Sequence, residues 1–293
     1  MSLLVAVILG VVQGTFMFVP VSSTSHLVLT QTWMREAGVA LPPPDSPELI
    51  LFDLVVHVGT LVSVVIVMGD GLRELFDGVR SDVRTGRLKT GLGDAVTSRV
   101  VLLMLLSVAV TGVLGLAFQD VLSSVFGSPT LVALALIGTG GLLWWTDAMT
   151  PGRGGRRLRF GWRGQGDLTV GIAVAIGVAQ AAALTPGLSR SGVTIFAALL
   201  LGMGRTLAAR YSFYIAIPTI LAATGVQALQ VALDEGFGTI SWAAMGVGFG
   251  VAAAVGTVAL WGVLKLLEAA RFRIFSVYVW TLAAVVLVTG VGV

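Results

Sequence analysis

Two apolar runs, 3–33 and 168–203, are each broken near the middle by a proline and a cluster of hydroxyl residues. The first break reads Pro20-Val21-Ser22-Ser23-Thr24-Ser25-His26, and the second Pro186-Gly187-Leu188-Ser189-Arg190-Ser191-Gly192-Val193-Thr194. Helix-breaking sequence inside an apolar run survives at membrane depth only where it is buried in protein or lines a wet cavity. A straight helix through either run would be roughly 45–55 Å long at about 1.5 Å per residue. Each run therefore reads as a re-entrant pair of half-helices that turns back at its proline.

Hydrophobic residues make up 56% of the chain and charged residues 11%, with a mean hydropathy of +0.96. Soluble domains carry roughly 25% charged residues, so this surface suits lipid and not water. The 293 residues have room for roughly six to nine spans of about 20 residues, within one integral membrane domain, 1–293. The formal charge of +3 and the pI near 9.8 do not call for a nucleic-acid partner, because excess Arg and Lys in cytoplasmic loops is what membrane topology requires. With no Cys there is no disulfide framework, thiol nucleophile or Cys-based metal site. The N-terminus lacks a basic leader and a cleavage site, so 3–19 is expected to be retained as structure.

Six apolar runs read as full spans: 51–69, 100–118, 130–146, 211–233, 241–264 and 275–293. Basic residues collect in 70–99, 147–167, 204–210 and 265–273, whereas 34–50, 119–129 and 234–240 are acidic or nearly uncharged. These loops alternate as a plasma-membrane protein requires if both interrupted runs return to the side they entered. Both chain ends then lie outside. The interrupted runs also resemble each other, Gly10-Val11-Val12-Gln13 preceding Pro20 as Gly177-Val178-Ala179-Gln180 precedes Pro186. The expected fold is all-α and polytopic: six transmembrane helices plus two re-entrant helical hairpins in an inverted-topology repeat. Its halves are about 1–146 and 168–293, with a site at their interface.

Within the apolar segments the charged residues are Asp53 and Arg190, and both histidines, His26 and His57, lie there too. An ionisable group in hydrocarbon is a functional-site hypothesis by default. Arg190 stands among Ser189, Ser191 and Thr194 at the start of a helix, where backbone N–H groups and the dipole favour anions. Its planar fork matches phosphate oxygens. Ser22, Ser23 and Thr24 offer hydroxyls as ligands or a nucleophile, and His26 offers a proton acceptor. His57, in an uninterrupted span, reads first as a hydrogen-bonded structural residue, and Asp53 as a cap or topology charge. Small residues in 246–256 allow close helix packing, including across a homodimer, and Trp144 and Trp145 suit an interfacial belt.

The two hairpins resemble those of the undecaprenyl-pyrophosphate phosphatase family of the bacitracin-resistance type, and the similarity covers essentially the whole chain. That family's pattern is an E/Q-x-x-x-E segment leading into P-V-S-S-x-x-H, then a later P-G-x-S-R-S-G-x-T; both turns are complete here. The resemblance implies removal of the terminal phosphate of a polyprenyl pyrophosphate lipid, by a protein that is often a dimer with a site open to the outer face. It implies that Arg190, with Ser189 and Thr194, grips the pyrophosphate, and that Ser23 or His26 is the nucleophile or its base. Gln13 is an accepted variant in the E/Q-x-x-x-E segment, but Met17 stands where its carboxylate belongs. The family carboxylate suits a divalent cation, Mg or Ca, which wants oxygen ligands; a thioether is a poor one. The alternative expectations are a lipid-phosphate flippase or transporter, and a catalytically weakened homologue.

Overall fold

A computed structural model describes residues 1–44, 46–118, 129–148, 168–234, 240–268 and 272–289. Among these residues the secondary structure is helical, without a strand. The first interrupted run folds as α1 (Leu3–Phe18) and α2 (Ser23–Glu36). Ser2 caps α1 by accepting the Val5 N–H, and the helix stops at Val19, which is extended as the residue before a proline must be. Next come α3 (Pro47–Arg84), the one-turn α4 (Arg87–Thr90), α5 (Val96–Ala117) and α6 (Pro129–Ala148). The second interrupted run gives α7 (Val170–Ala182) and α8 (Arg190–Leu200), and the chain continues as α9 (Arg205–Asp234), α10 (Trp242–Glu268) and α11 (Arg273–Thr289).

Five of these helices, α3, α5, α6, α9 and α10, are long and apolar enough to cross a membrane. Their outward surfaces suit lipid: Val258 is 70% exposed and Leu116 69%. α11 has 17 described residues, about 26 Å at 1.5 Å per residue, and the run 275–293 continues past the described part. The helices on either side of the two proline breaks have 16, 14, 13 and 11 residues. Each falls short of the roughly 20 residues that a span needs.

Several boundaries differ from those the sequence suggests. The stretch 70–99 is mostly helix, because α3 runs on to Arg84 and α5 starts at Val96. Arg, Lys, Glu and Leu are good helix formers, so a basic segment leaving the membrane has no reason to unwind. At 38 residues α3 is about 57 Å long, and a break in helical geometry at Met68 (φ −118°, ψ 16°) separates its membrane-length part from this extension. The extension is anchored by Asp82, which accepts hydrogen bonds from the Ser98 N–H (3.0 Å) and hydroxyl (3.1 Å). Likewise α9 begins at Arg205 inside the short 204–210 connection, and α10 continues to Glu268. The acidic or neutral loops 119–129 and 234–240 and the basic loop 147–167 lie largely outside the described residues.

α1 and α3 both lie along α10 and touch each other. The approach is close enough to need glycine: a Cβ on Gly14 would stand 2.9 Å from the Ala252 carbonyl, and one on Gly59 2.7 Å from that of Phe249. Of the small residues of 246–256, Gly248, Ala252 and Gly256 are packed against α1 and α3, whereas a Cβ on Gly246 or Gly250 would meet nothing within 4 Å. α7 lies along α5, where the Ser107 hydroxyl donates to the Ala173 carbonyl (2.7 Å) and Thr111 to that of Gly177 (3.0 Å). α9 touches α3, α5 and α8, and α6 pairs with α11. The proline breaks are held within this frame.

Candidate functional site

The two breaks face each other across a cavity of roughly 190 Å³. From the first come Phe16, Met17, Ser22, Ser23 and Thr24, and from the second Thr185, Pro186, Leu188, Ser189, Arg190 and Ser191. His57 of α3 and Thr219 of α9 complete the polar wall.

The first hairpin is turned toward the cavity by Ser22, the N-cap of α2, whose φ of +69° is left-handed. A non-glycine residue held there stores about 1–3 kcal/mol of strain, a cost that recurs at functional sites. The Ser22 and Ser25 hydroxyls are 3.1 Å apart, and the Ser23 hydroxyl faces the Met17 sulfur at 3.8 Å. Gln13, fully buried on α1, donates from Nε2 to the same sulfur at 3.3 Å, and its Oε1 is buried without a hydrogen bond to any described residue.

The second hairpin turns at Gly187, whose φ of +91° favours glycine. Thr139 on α6 supports the turn from behind, donating to the Gly187 carbonyl (2.9 Å) and accepting from the Ser189 N–H (3.2 Å). Ser189 then caps α8 by accepting the Gly192 N–H at 3.2 Å, and its hydroxyl lies 3.4 Å from that of Ser191. Two helix N-termini, those of α2 and α8, therefore meet at one cavity, each with first-turn N–H groups that have no intrahelical partner. Arg190 is the first residue of α8. Its Nη1 is buried and makes no hydrogen bond with any described residue. A buried cation without a hydrogen-bond partner among the described residues is costly, and together with the helix dipoles it gives the cavity a lining that favours negative charge.

Ser22, Ser23, Thr24, Ser189, Arg190 and Ser191, singled out from the sequence, thus share one wall. Gln13 stands one layer behind it, touching Met17. Thr194 also lies behind, its hydroxyl 2.6 Å from that of Ser212 and donating to the Arg190 carbonyl at 2.7 Å, so it fastens α8 to α9. His26 is not on the wall. Its Nδ1 is 2.7 Å from the Ser22 carbonyl and its Nε2 2.8 Å from the Tyr278 hydroxyl, and its ring stacks on Phe16 at 3.9 Å. Asp53 is held by the Gln31 amide at 3.0 and 3.3 Å, away from the cavity.

The structure adds His57, Thr139, Thr185 and Thr219 to the site. For His57 the available signal was its place in an apolar span; for Thr219 it was a hydroxyl directly after Pro218 inside a helix. Among the described residues the wall offers hydroxyls, one imidazole and a thioether, but no carboxylate. Among the described residues no group of three His, Cys, Asp or Glu could hold a metal ion. This donor set does not fit a protein-held Mg or Ca ion, which wants several oxygen ligands including carboxylates.

The sequence matches the model of the family described as bacitracin resistance protein BacA over residues 6–285, a span that includes both hairpins. The chain belongs to this family. It is 47% identical over 291 residues to a protein of Halorhodospira halophila named undecaprenyl-diphosphatase, covering 98% of this chain and 97% of that protein. A protein of the same name from Alkalilimnicola ehrlichii is 46% identical over 284 residues, covering 97% and 95%. The undecaprenyl-diphosphatase 2 of Stutzerimonas stutzeri is 36% identical over the full length of both chains. Family membership thus covers the same residues that the cavity brings together.

Proposed function

We propose that this chain is an undecaprenyl-diphosphatase, a membrane hydrolase that removes the terminal phosphate of undecaprenyl pyrophosphate and returns the monophosphate carrier lipid. The observation that carries the reading is Arg190 Nη1, buried at the cavity between two hydroxyl-rich hairpins with no hydrogen bond to a described residue. A pyrophosphate headgroup supplies the missing partner. Its oxygens accept hydrogen bonds from the guanidinium, from the wall hydroxyls Ser22, Ser23, Thr24, Ser189 and Ser191, and from the first-turn N–H groups of α2 and α8. These donors are fixed before substrate arrives, so the charge that builds on the phosphate oxygens during P–O cleavage meets dipoles needing no reorganisation. Among the hydroxyls that the first hairpin brings to the wall, Ser23 and Thr24 are partly exposed where Ser22 is buried, which supports a hydroxyl of this pair as the one that meets the substrate. Thr194 acts through Arg190, whose carbonyl it holds.

The reading includes a topology of six crossings and two re-entrant pairs in an inverted repeat with halves of about 1–146 and 168–293. Four helices beside the prolines are too short to span, which supports the re-entrant pairs. Neighbour relations support the repeat: exchanging α1, α2, α3, α5 and α6 with α7, α8, α9, α10 and α11 turns the α1–α10 contact into α7–α5, and α3–α10 into α9–α5, all of which occur. The α3–α9 and α6–α11 contacts map onto themselves. The collection of basic residues around α4 supports a cytoplasmic α4 side and outside chain ends, in the plasma membrane.

Phosphate release from undecaprenyl pyrophosphate by the purified chain tests the function. Arg190→Ala should lower turnover about 10²–10³-fold, as loss of an electrostatic clamp does. No release by the parent chain, combined with passage of lipid phosphate across proteoliposomes, would replace the hydrolase by a transporter.

A further inference from the structure

We propose that His57 is the general base of this site, an inference that rests on the phosphatase reading above. Among the described side chains on the cavity wall, His57 is the one of a type that exchanges a proton near neutral pH. Met17 brings a thioether, Arg190 a permanent cation, and the rest are hydroxyls or apolar groups.

Its tautomer is set by its own helix. Nδ1 of His57 lies 2.6 Å from the Asp53 carbonyl one turn earlier. A carbonyl only accepts, so in the neutral ring Nδ1 carries the hydrogen and Nε2 a lone pair. That Nε2 makes no hydrogen bond with a described residue, and His57 is partly exposed and lines the cavity. The same logic gives His26 a lone pair on Nε2, but there the Tyr278 hydroxyl occupies it. Of two identically oriented imidazoles, one is capped by protein and the other opens onto the site. The Asp53 carboxylate is turned to Gln31, so it does not compete for the role. His57 and the Arg190 guanidinium are also close enough to interact electrostatically, which puts the base beside the group that holds the phosphate.

The step balances with water as co-reactant. A water oxygen attacks the terminal phosphorus while His57 Nε2 takes one of its protons. The bond from that phosphorus to the bridging oxygen breaks, and its electron pair leaves on the lipid monophosphate. The imidazolium then gives the proton to the departing phosphate, and the products are inorganic phosphate and undecaprenyl phosphate.

The test uses the purified full chain with undecaprenyl pyrophosphate, comparing the parent with His57→Ala, His57→Gln and Arg190→Ala. Glutamine at 57 retains a donor for the Asp53 carbonyl, so it serves where the alanine variant folds poorly. Both His57 variants should lose about 10²–10⁴-fold in kcat, with KM within about threefold because the phosphate clamp is untouched. Added imidazole should restore at least tenfold in His57→Ala and nothing in Arg190→Ala. Turnover in either His57 variant above about a tenth of the parent's, or a His57→Ala protein that binds lipid but is not rescued by imidazole, overturns the proposal. A parent chain that releases no phosphate overturns the phosphatase reading itself, a different result from an active parent with active His57 variants.

Discussion

Nε2 of His26 lies 2.8 Å from the hydroxyl of Tyr278 on α11, 252 residues further along the chain. With Nδ1 donating to the Ser22 carbonyl, the ring has no free nitrogen, and it ties the first hairpin to the last helix. Phe16, His26 and Tyr278 form a stack, with ring centroids 3.9 Å apart for the first pair and 5.6 Å for the second. His26 therefore sets the shape of the Ser22 turn, whose left-handed backbone needs such support.

Tyr278→Phe keeps the stack and removes the hydroxyl, leaving a buried acceptor without a partner. That should destabilise the protein by about 1–3 kcal/mol, read as a fall of a few degrees in melting temperature in detergent. Phosphate release should stay within about threefold of the parent, since Tyr278 is not on the cavity wall. A hundredfold loss of turnover with an unchanged melting temperature would instead show that His26 Nε2 acts on the substrate.

Gly187 combines a φ of +91° with no room for a side chain: a Cβ would stand 2.5 Å from the Val132 carbonyl and 2.8 Å from the Ala135 Cβ. Gly202 has the same φ, and nothing lies within 4 Å of where its Cβ would be. The pair separates strain from clash. Gly202→Ala should cost about 1–2 kcal/mol, the left-handed penalty alone. Gly187→Ala adds overpacking against α6, about 1–3 kcal/mol more, and displaces the turn that carries Arg190. A displacement of about 1 Å can cost 10²-fold in rate. Melting curves and kcat/KM for the two variants check this, and equal behaviour of the two would refute the packing argument.

The chain has no cysteine, so single cysteines report sidedness directly. Ala40 lies in the exposed connection before α3, and Lys89 is exposed on α4 beyond the extended end of that helix. Ala40→Cys should react with a membrane-impermeant maleimide applied to intact cells, and Lys89→Cys only after the membrane is opened. The reverse pattern would invert the topology, and labelling of both from outside would mean that α3 does not cross the membrane.

What could be read from the residues was whatever covalent geometry or hydration enforces locally. Pro20 and Pro186 stop helices, so the two breaks fall where the prolines stand. Arg190 in an apolar run calls for an anion or a carboxylate, and no carboxylate among the described residues lines the cavity beside it. The facing of the histidines was not legible, because it depends on which side of α2 and α3 meets α10 and α11, a tertiary choice that identical spacing to a backbone carbonyl does not reveal. His26, beside four hydroxyls, turns behind the hairpin, while His57, in an unbroken span, reaches the wall. The helical extension of α3 was hidden for a related reason: basic residues signal the cytoplasmic side and say nothing about whether the backbone there is coiled.

Met17 is the clearest departure from the family pattern, and its surroundings indicate what a carboxylate would do there. Its sulfur receives the Gln13 amide at 3.3 Å and faces the Ser23 hydroxyl at 3.8 Å, and Gln13 Oε1 nearby is buried without a hydrogen bond to any described residue. In Met17→Glu the carboxylate would take over both donors as charge-assisted acceptors, which are shorter and about twice as strong as neutral ones. It would also place a second negative charge beside the phosphate, and that repulsion needs a counter-ion. With Gln13 Oε1 and the Ser23 hydroxyl, the new carboxylate forms an oxygen donor set of the kind hard divalent cations use. Met17→Glu should therefore bind pyrophosphate lipid less tightly in chelator and regain affinity and turnover with Mg or Ca. The parent should respond less to the same additions. Phosphate release measured across a metal titration decides it: identical metal dependence of parent and variant would show that the position does not control cation use. The companion change Met17→Leu, which removes only a weak acceptor, should leave turnover within about threefold.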